Sequence, residues 1–212
     1  MNHKHSYIRM NKRLLIIFAV AAVAGVAAGA LAATMTGRPF QGYKPAIEIP
    51  GERTLPDFTL TDQNGNAFTL SSLKNKAVVI YFGYTHCPDV CPLALSKFKQ
   101  TIERLGPEAD KVAFIFVTVD PERDTPEVMK KYISFYSEKI IGLSGSPDEV
   151  YSVLKLYNIY AAKNPPDEKG NYLVDHYALV MGADRNHILR IAFTPDMNVE
   201  EYVQGVKWLL SK

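Results

Sequence analysis

Two cysteines, Cys87 and Cys91, lie in the stretch Gly83-Tyr84-Thr85-His86-Cys87-Pro88-Asp89-Val90-Cys91-Pro92, and the 212-residue chain has no others. Thiols at this spacing have two uses. As thiolates they are soft metal ligands, and on losing two electrons they close a disulfide. The residues just before them, Ala77 to Phe82, form a nearly continuous apolar run of strand length. Pro92 suits the first turn of a helix, with Leu93, Leu95, Phe98, Ile102 and Leu105 as its apolar stripe. The cysteine loop therefore joins a buried strand to a helix start, where free backbone N–H groups and the helix dipole favour thiolate over thiol. Three residues separate the sulfurs, one more than in thioredoxin-type oxidoreductases, and the i, i+4 pair permits either chemistry.

A third donor decides between them, because two thiolates and an imidazole form a soft set matched to copper rather than to magnesium or calcium. His86 adjoins Cys87 but would have to fold back sharply, and His187 falls beside an expected hairpin turn, in solvent. His176, in Val174-Asp175-His176-Tyr177-Ala178-Leu179-Val180, opens a strand expected to run beside the cysteine loop, and it is the third ligand selected here. A histidine at a strand start is also an ordinary structural residue. Thioredoxins place a cis-proline ahead of this strand, whereas no proline occurs between Pro166 and Pro195, which favours a metal site over plain disulfide exchange. A structural zinc site would lack its fourth ligand.

The positioning elements are legible around this loop. Asp57 to Leu60 and Ala67 to Leu70 alternate about Asp62-Gln63-Asn64-Gly65-Asn66, the composition of an N-terminal β-hairpin. Val112 to Val119 reads as a second buried parallel strand, followed by a helix from about Pro126 to Tyr136. Ser146-Pro147-Asp148-Glu149 signals the start of a helix reaching about Tyr157. Ala161 to Asn171 is polar, with two prolines, and marks an exposed loop or hairpin insertion. Tyr172 to Val180 and Ile188 to Phe193 are expected to be antiparallel strands, and Asn198 to Leu210 a closing amphipathic helix. Tyr132, Phe135, Tyr136, Tyr151, Tyr157 and Tyr160 are expected to fill core. This order is α/β and thioredoxin-like, with an added N-terminal hairpin and an insertion before the penultimate strand.

Ahead of it, Leu14 to Ala33 runs without a charge, long enough to span a bilayer as one transmembrane helix. Lys4, Arg9, Lys12 and Arg13 precede it with no acid among them, which predicts a cytoplasmic basic N-terminus (1–13), an anchor (14–33), a Pro- and Gly-broken tether (34–54) and an exported domain (55–212). A cleaved signal peptide is the competing reading, since Ala30-Leu31-Ala32 resembles a cleavage site. Of 24 basic residues four lie in that N-terminal segment, leaving 20 against 22 acids, so the rest lacks the basic stripe of a nucleic-acid partner.

Taken together, Cys87-Pro88-Asp89-Val90-Cys91-Pro92, Val119-Asp120-Pro121-Glu122-Arg123-Asp124-Thr125-Pro126 and Asp175-His176 resemble the Sco/SenC family over about Leu55 to Leu210. The resemblance implies copper, as Cu(I) or Cu(II), held by Cys87, Cys91 and His176. It implies a metallochaperone rather than an enzyme, one that helps build the binuclear copper centre of cytochrome c oxidase subunit II. A thiol-disulfide role for the redox-active pair Cys87 and Cys91 is implied too, with a further copper carrier and a thiol-disulfide reductant as partners. The short basic N-terminus favours a bacterial inner membrane, with the domain on the periplasmic side. Asp120, Arg123 and Asp175 are candidates for partner docking or for supporting the ligands, although Asp124 or Thr125 with Pro126 and Glu127 also makes an adequate helix cap. The alternative function is an extracytoplasmic thiol-disulfide oxidoreductase or thioredoxin-like peroxidase, in which Cys87 attacks and Cys91 resolves.

Overall fold

The computed structural model describes residues 47–212. The expected basic N-terminus, the expected membrane anchor and most of the expected tether lie outside the described residues. No helix among the described residues is long and apolar enough to cross a membrane.

Along the chain, β1 (Glu48–Thr54) precedes the hairpin of β2 (Thr59–Asp62) and β3 (Ala67–Thr69). Then come β4 (Ala77–Gly83), α1 (Val90–Leu105), β5 (Val112–Thr118), α2 (Pro126–Ser134), β6 (Ile140–Ser144) and α3 (Pro147–Leu156). The short strands β7 (Ala161–Lys163) and β8 (Val174–His176) follow, then β9 (Val180–Ala183), β10 (Ile188–Phe193) and α4 (Val199–Leu210). Eight strands form one sheet in the order β1-β10-β9-β4-β5-β6-β2-β3, and β7 with β8 forms a separate ribbon. The thioredoxin-like core is β4-α1-β5 together with β9-β10-α4.

Every residue of β4 and β5 is buried, as their unbroken apolar sequences require of parallel strands covered on both faces. Because successive side chains alternate, Tyr81, Phe114 and Phe116 share one face of the sheet. Phe98 of α1 meets Phe114 at 5.4 Å and Tyr132 of α2 meets Phe116 at 5.9 Å between ring centroids, so both helices cover that face. Phe82 points the other way, to Tyr157 at the end of α3, at 5.3 Å. Side-chain caps start three helices: Thr125 on Val128 for α2, and Ser146 with Glu149 and Asn198 with Glu201 as reciprocal capping boxes for α3 and α4.

Several elements depart from expectation. Residues 48–54, read as the end of an irregular tether in which Pro50 is one of the breaks, form β1 against the outer side of β10, with the register shifting between Glu48 and Arg53. An edge strand tolerates both a proline and a bulge. β6 is an additional strand, parallel to β5, and the hairpin β2-β3 docks beside it. The stretch from Tyr172 to Val180 is not one strand: Val174–His176 pairs with β7, and the sheet strand begins only at Val180. Phe135, Tyr151 and Tyr160 are exposed rather than core, while Tyr157 is buried.

Candidate metal centre

Cys87 lies in the turn after β4 and Cys91 in the first turn of α1; both are buried and both are free thiols. Asp89 stands at the N-cap of α1 without capping it through its side chain, so the backbone N–H groups there remain available to other acceptors. Those of Asp89 and Cys91 point at the Cys87 sulfur. The hydrogen bond from Cys91 is the main cause that draws the Cys87 pKa down to about 5, with the two N–H groups and His176 assisting against burial. The same shared proton, together with burial, pushes Cys91 up. The pair is thereby biased toward a thiolate on Cys87 and a thiol on Cys91. Gly83 is what lets α1 come so close, because a Cβ there would lie 2.7 Å from the Cys91 sulfur.

β8 delivers His176 to this pair. Its Nε2 lies 3.4 Å from Cys91 Sγ, and its Nδ1 lies 3.0 Å from the Val174 carbonyl oxygen. A carbonyl only accepts, so Nδ1 carries the proton and Nε2 presents a lone pair to the sulfurs. An imidazole oriented from behind in this way is the usual arrangement of a metal ligand. The contacts run as a chain, Cys87 to Cys91 to His176; among the described residues no three His, Cys, Asp or Glu side chains form a closed cluster of metal donors. The donor types nonetheless fit a soft cation: two sulfurs and one imidazole nitrogen.

Two tyrosines complete the surroundings. Tyr81, fully buried on β4, places Oη 3.5 Å from Cys91 Sγ and 3.5 Å from His176 Nε2. Burial, with the Cys91 sulfur nearby, pushes its pKa up, so it stays a protonated donor. Tyr84 packs edge-on to the His176 ring at 5.4 Å, and its hydroxyl accepts the Val174 N–H at 3.2 Å.

The segment after β5 clasps the ribbon. The Asp120 carboxylate, fully buried, takes Arg123 Nε at 2.5 Å on one oxygen and the Tyr172 hydroxyl at 2.9 Å on the other. The Arg123 guanidinium lies over the Tyr172 ring at 3.6 Å and near the Tyr84 ring at 5.8 Å, and Lys163 of β7 pairs with Glu122. Asp124, also fully buried, anchors the cysteine loop itself by accepting the Thr85 N–H at 3.0 Å, the Thr85 hydroxyl at 2.6 Å and the Thr118 hydroxyl at 2.7 Å. Burial outweighs these bonds and raises its pKa.

Of the candidates named from sequence, Cys87, Cys91 and His176 meet, and Asp120 and Arg123 stand behind them. Asp175 turns away: it is exposed and accepts from the Asn164 side chain at 3.1 Å, bracing the ribbon rather than the sulfurs. His86 is half-exposed beside Thr85, and His187 is not in open solvent, since its Nε2 lies 3.0 Å from the Leu73 carbonyl oxygen. Sequence reasoning passed over Tyr81, Tyr84 and Tyr172. For Tyr81 the signal was present: a hydroxyl in a strand buried on both faces needs a partner.

The sequence model of the SCO1/SenC family matches residues 48–211. A SCO2-like protein of Rickettsia felis is 35% identical over 166 residues, covering 78% of this chain and 78% of that one. The structure of ScoI from Bradyrhizobium japonicum with copper bound superimposes with a TM-score of 0.69 at 44% identity, over 74% of this chain and all of that one. ScoI from Arabidopsis thaliana with copper bound gives a TM-score of 0.69 at 32% identity, over 75% of this chain and 99% of the other.

Proposed function

The chain belongs to the SCO1/SenC family, and from that premise we propose that it takes up one copper ion through Cys87, Cys91 and His176 and passes it on during assembly of a respiratory oxidase. The observation that carries the reading is the 3.4 Å approach of His176 Nε2 to Cys91 Sγ, with the other ring nitrogen held by the Val174 carbonyl. A histidine serving only the ribbon would have no reason to face the sulfur. Capture requires Cys91 to give up its proton and Cys87 and His176 to close on the ion, and the relatives with copper bound support that course.

In this reading the recipient is the binuclear copper centre of cytochrome c oxidase subunit II, the domain faces the periplasm, and Leu14 to Ala33 anchors it to the inner membrane. Binding should be measured on the full chain in detergent, reduced, against a competing copper chelator. One copper per chain is expected for the parent. His176→Ala and Cys87→Ala should each weaken retention by at least about tenfold. A His176→Ala variant that held copper as tightly as the parent would sink the three-ligand site.

A second reading is favoured by one observation, the depressed pKa of Cys87, which suits a nucleophile toward a disulfide. Cys87 would attack one sulfur of a partner disulfide, releasing the other as thiolate, and Cys91 would then displace the mixed disulfide and leave the pair oxidised. Disulfide reduction by copper-free protein that is unaffected by His176→Ala would mark this as the main activity.

A further inference from the structure

On the face of the sheet covered by α3, a groove of about 480 Å³ lies open beside the ribbon, lined by Tyr157, Asn158, Ile159, Tyr177, Leu179 and Met181 and by no charged side chain. Tyr177 is 61% exposed at its rim, with the exposed Tyr160 ring 6.2 Å away. Apolar side chains gathered in this way mark a surface that another group covers.

The chain enters the fold along the same face. The Ile47 carbonyl accepts the Ala192 N–H at 3.0 Å, and Ala192 stands opposite Met181. Directly opposed residues of antiparallel strands share a face, so Ile47, Ala192 and Met181 make one row that leads from the start of β1 to the groove. Because β1 runs from Ile191 toward Ile188 along β10, continuing its line backward from Ile47 leads past Phe193, to the end of the sheet where Leu179 and the cysteine loop lie. Met181 is two strand spacings from Ile47, about 10 Å. The four residues before Ile47 can reach about 13 Å when extended. They are Tyr43-Lys44-Pro45-Ala46: one aromatic ring, one charge on a long stem, and a proline that disfavours a helical Lys44.

We propose that this groove is the seat of Tyr43–Ala46, with the Tyr43 ring laid face-on to Met181 beside Tyr177 and the Lys44 ammonium left in solvent. Seated there, the segment braces Tyr177, the residue after His176, so that the tether and the ribbon hold each other. The seat goes beyond the copper reading and does not depend on what the site binds.

The full chain in lipid nanodiscs tests it, with methionine methyls labelled and Met181 assigned through Met181→Leu. In the parent, the Met181 methyl should show magnetisation transfer to the Tyr43 ring protons. Both Tyr43→Leu and Tyr43→Ser should move that methyl to higher frequency as the ring current is lost. Amide exchange in β8 should accelerate severalfold in Tyr43→Ser and stay near the parent in Tyr43→Leu, which still fills the groove. A methyl that moves in neither variant overturns the proposal. Contacts from lipid methylenes in place of Tyr43 would give the groove to the bilayer, and contacts from a differently labelled second chain, in discs loaded with two, would give it to a dimer; either result overturns it as well. A moved methyl with unchanged exchange would keep the seat and strike the brace.

Discussion

At the scale of single residues, the two sulfurs share one proton and so differ in reactivity by far more than their exposure would suggest. With the Cys87 pKa lowered to about 5 it is thiolate above that pH and thiol below it, whereas an ordinary cysteine near 8.5 ionises by about tenfold more per pH unit through the neutral range. Alkylation of Cys87 by iodoacetamide should therefore be nearly flat from pH 6 to 8 and fall as the pH drops through about 5. In Cys91→Ala, which removes the main cause of the shift, the midpoint should rise toward the ordinary value. A wild-type profile with its midpoint near 8.5 would refute the one-thiolate pair. Gly83 belongs to the same scale: in Gly83→Ala the new methyl would meet Cys91, Phe116 and Tyr81 at 2.7, 2.8 and 2.9 Å. The strain should cost about 1–3 kcal/mol in urea unfolding and displace the Cys91 sulfur. The cysteine pair was legible in the chain because its chemistry is local to residue type and spacing, whereas His176 was read from an expected strand position and from the family resemblance. Tyr84 and Tyr172 were not legible, because their roles arise from the crossing of β4, the ribbon and the loop after β5, which no sequence window contains; Tyr81 signalled that its buried hydroxyl needs a partner but not which one.

At the scale of elements, the ribbon β7-β8 is the part that brings His176 to the cysteines, and it is not hydrogen-bonded into the main sheet. It is held by Tyr172 on Asp120 and Arg123, by Lys163 on Glu122 and by Val174 on Tyr84. Tyr172→Ala keeps the Asp120–Arg123 ion pair but removes both the hydroxyl that serves the other oxygen of the buried carboxylate and the ring on which the guanidinium lies. Amide exchange in β7 and β8 should accelerate while β4 and β5 stay protected, and copper retention should fall about tenfold or more. Unchanged exchange in the ribbon would show that the clasp does not hold it. The same elements show why part of the fold was hidden. Tyr172 to Val180 reads as one strand, and nothing local reveals that Val174–His176 within it pairs with Ala161–Lys163, itself too short for a pattern. β6 is short and carries Gly142, which reads as a break; that glycine is required because a Cβ would meet Met129 of α2 at 2.4 Å. The long buried strands β4 and β5 and the capped helices were legible because their signals are strong and lie within one segment.

At the scale of the whole molecule, the proposed copper site would couple redox state to stability. An ion bound by the folded chain and not by the unfolded one stabilises it by about 2.7 kcal/mol at a hundredfold excess over Kd, or a rise of about 5–10 °C in Tm for a domain of this size. With the proposed ligands that stabilisation would need thiolates from both cysteines, and a Cys87–Cys91 disulfide has none to offer. Reduced chain should therefore gain several degrees with copper, and the oxidised chain should gain none even though the disulfide alone changes its starting Tm. Because Cys87 follows β4 and Cys91 lies in the first turn of α1, the loss would be felt at the junction of the central strand and its helix. His176→Ala separates the two effects: it should keep the disulfide's influence on Tm and lose most of copper's. Calorimetry of parent and variant, each reduced and oxidised, with and without copper, reads all of these at once. An oxidised parent that still gained several degrees with copper would mean that the ion is held elsewhere and that the cysteines serve disulfide exchange alone.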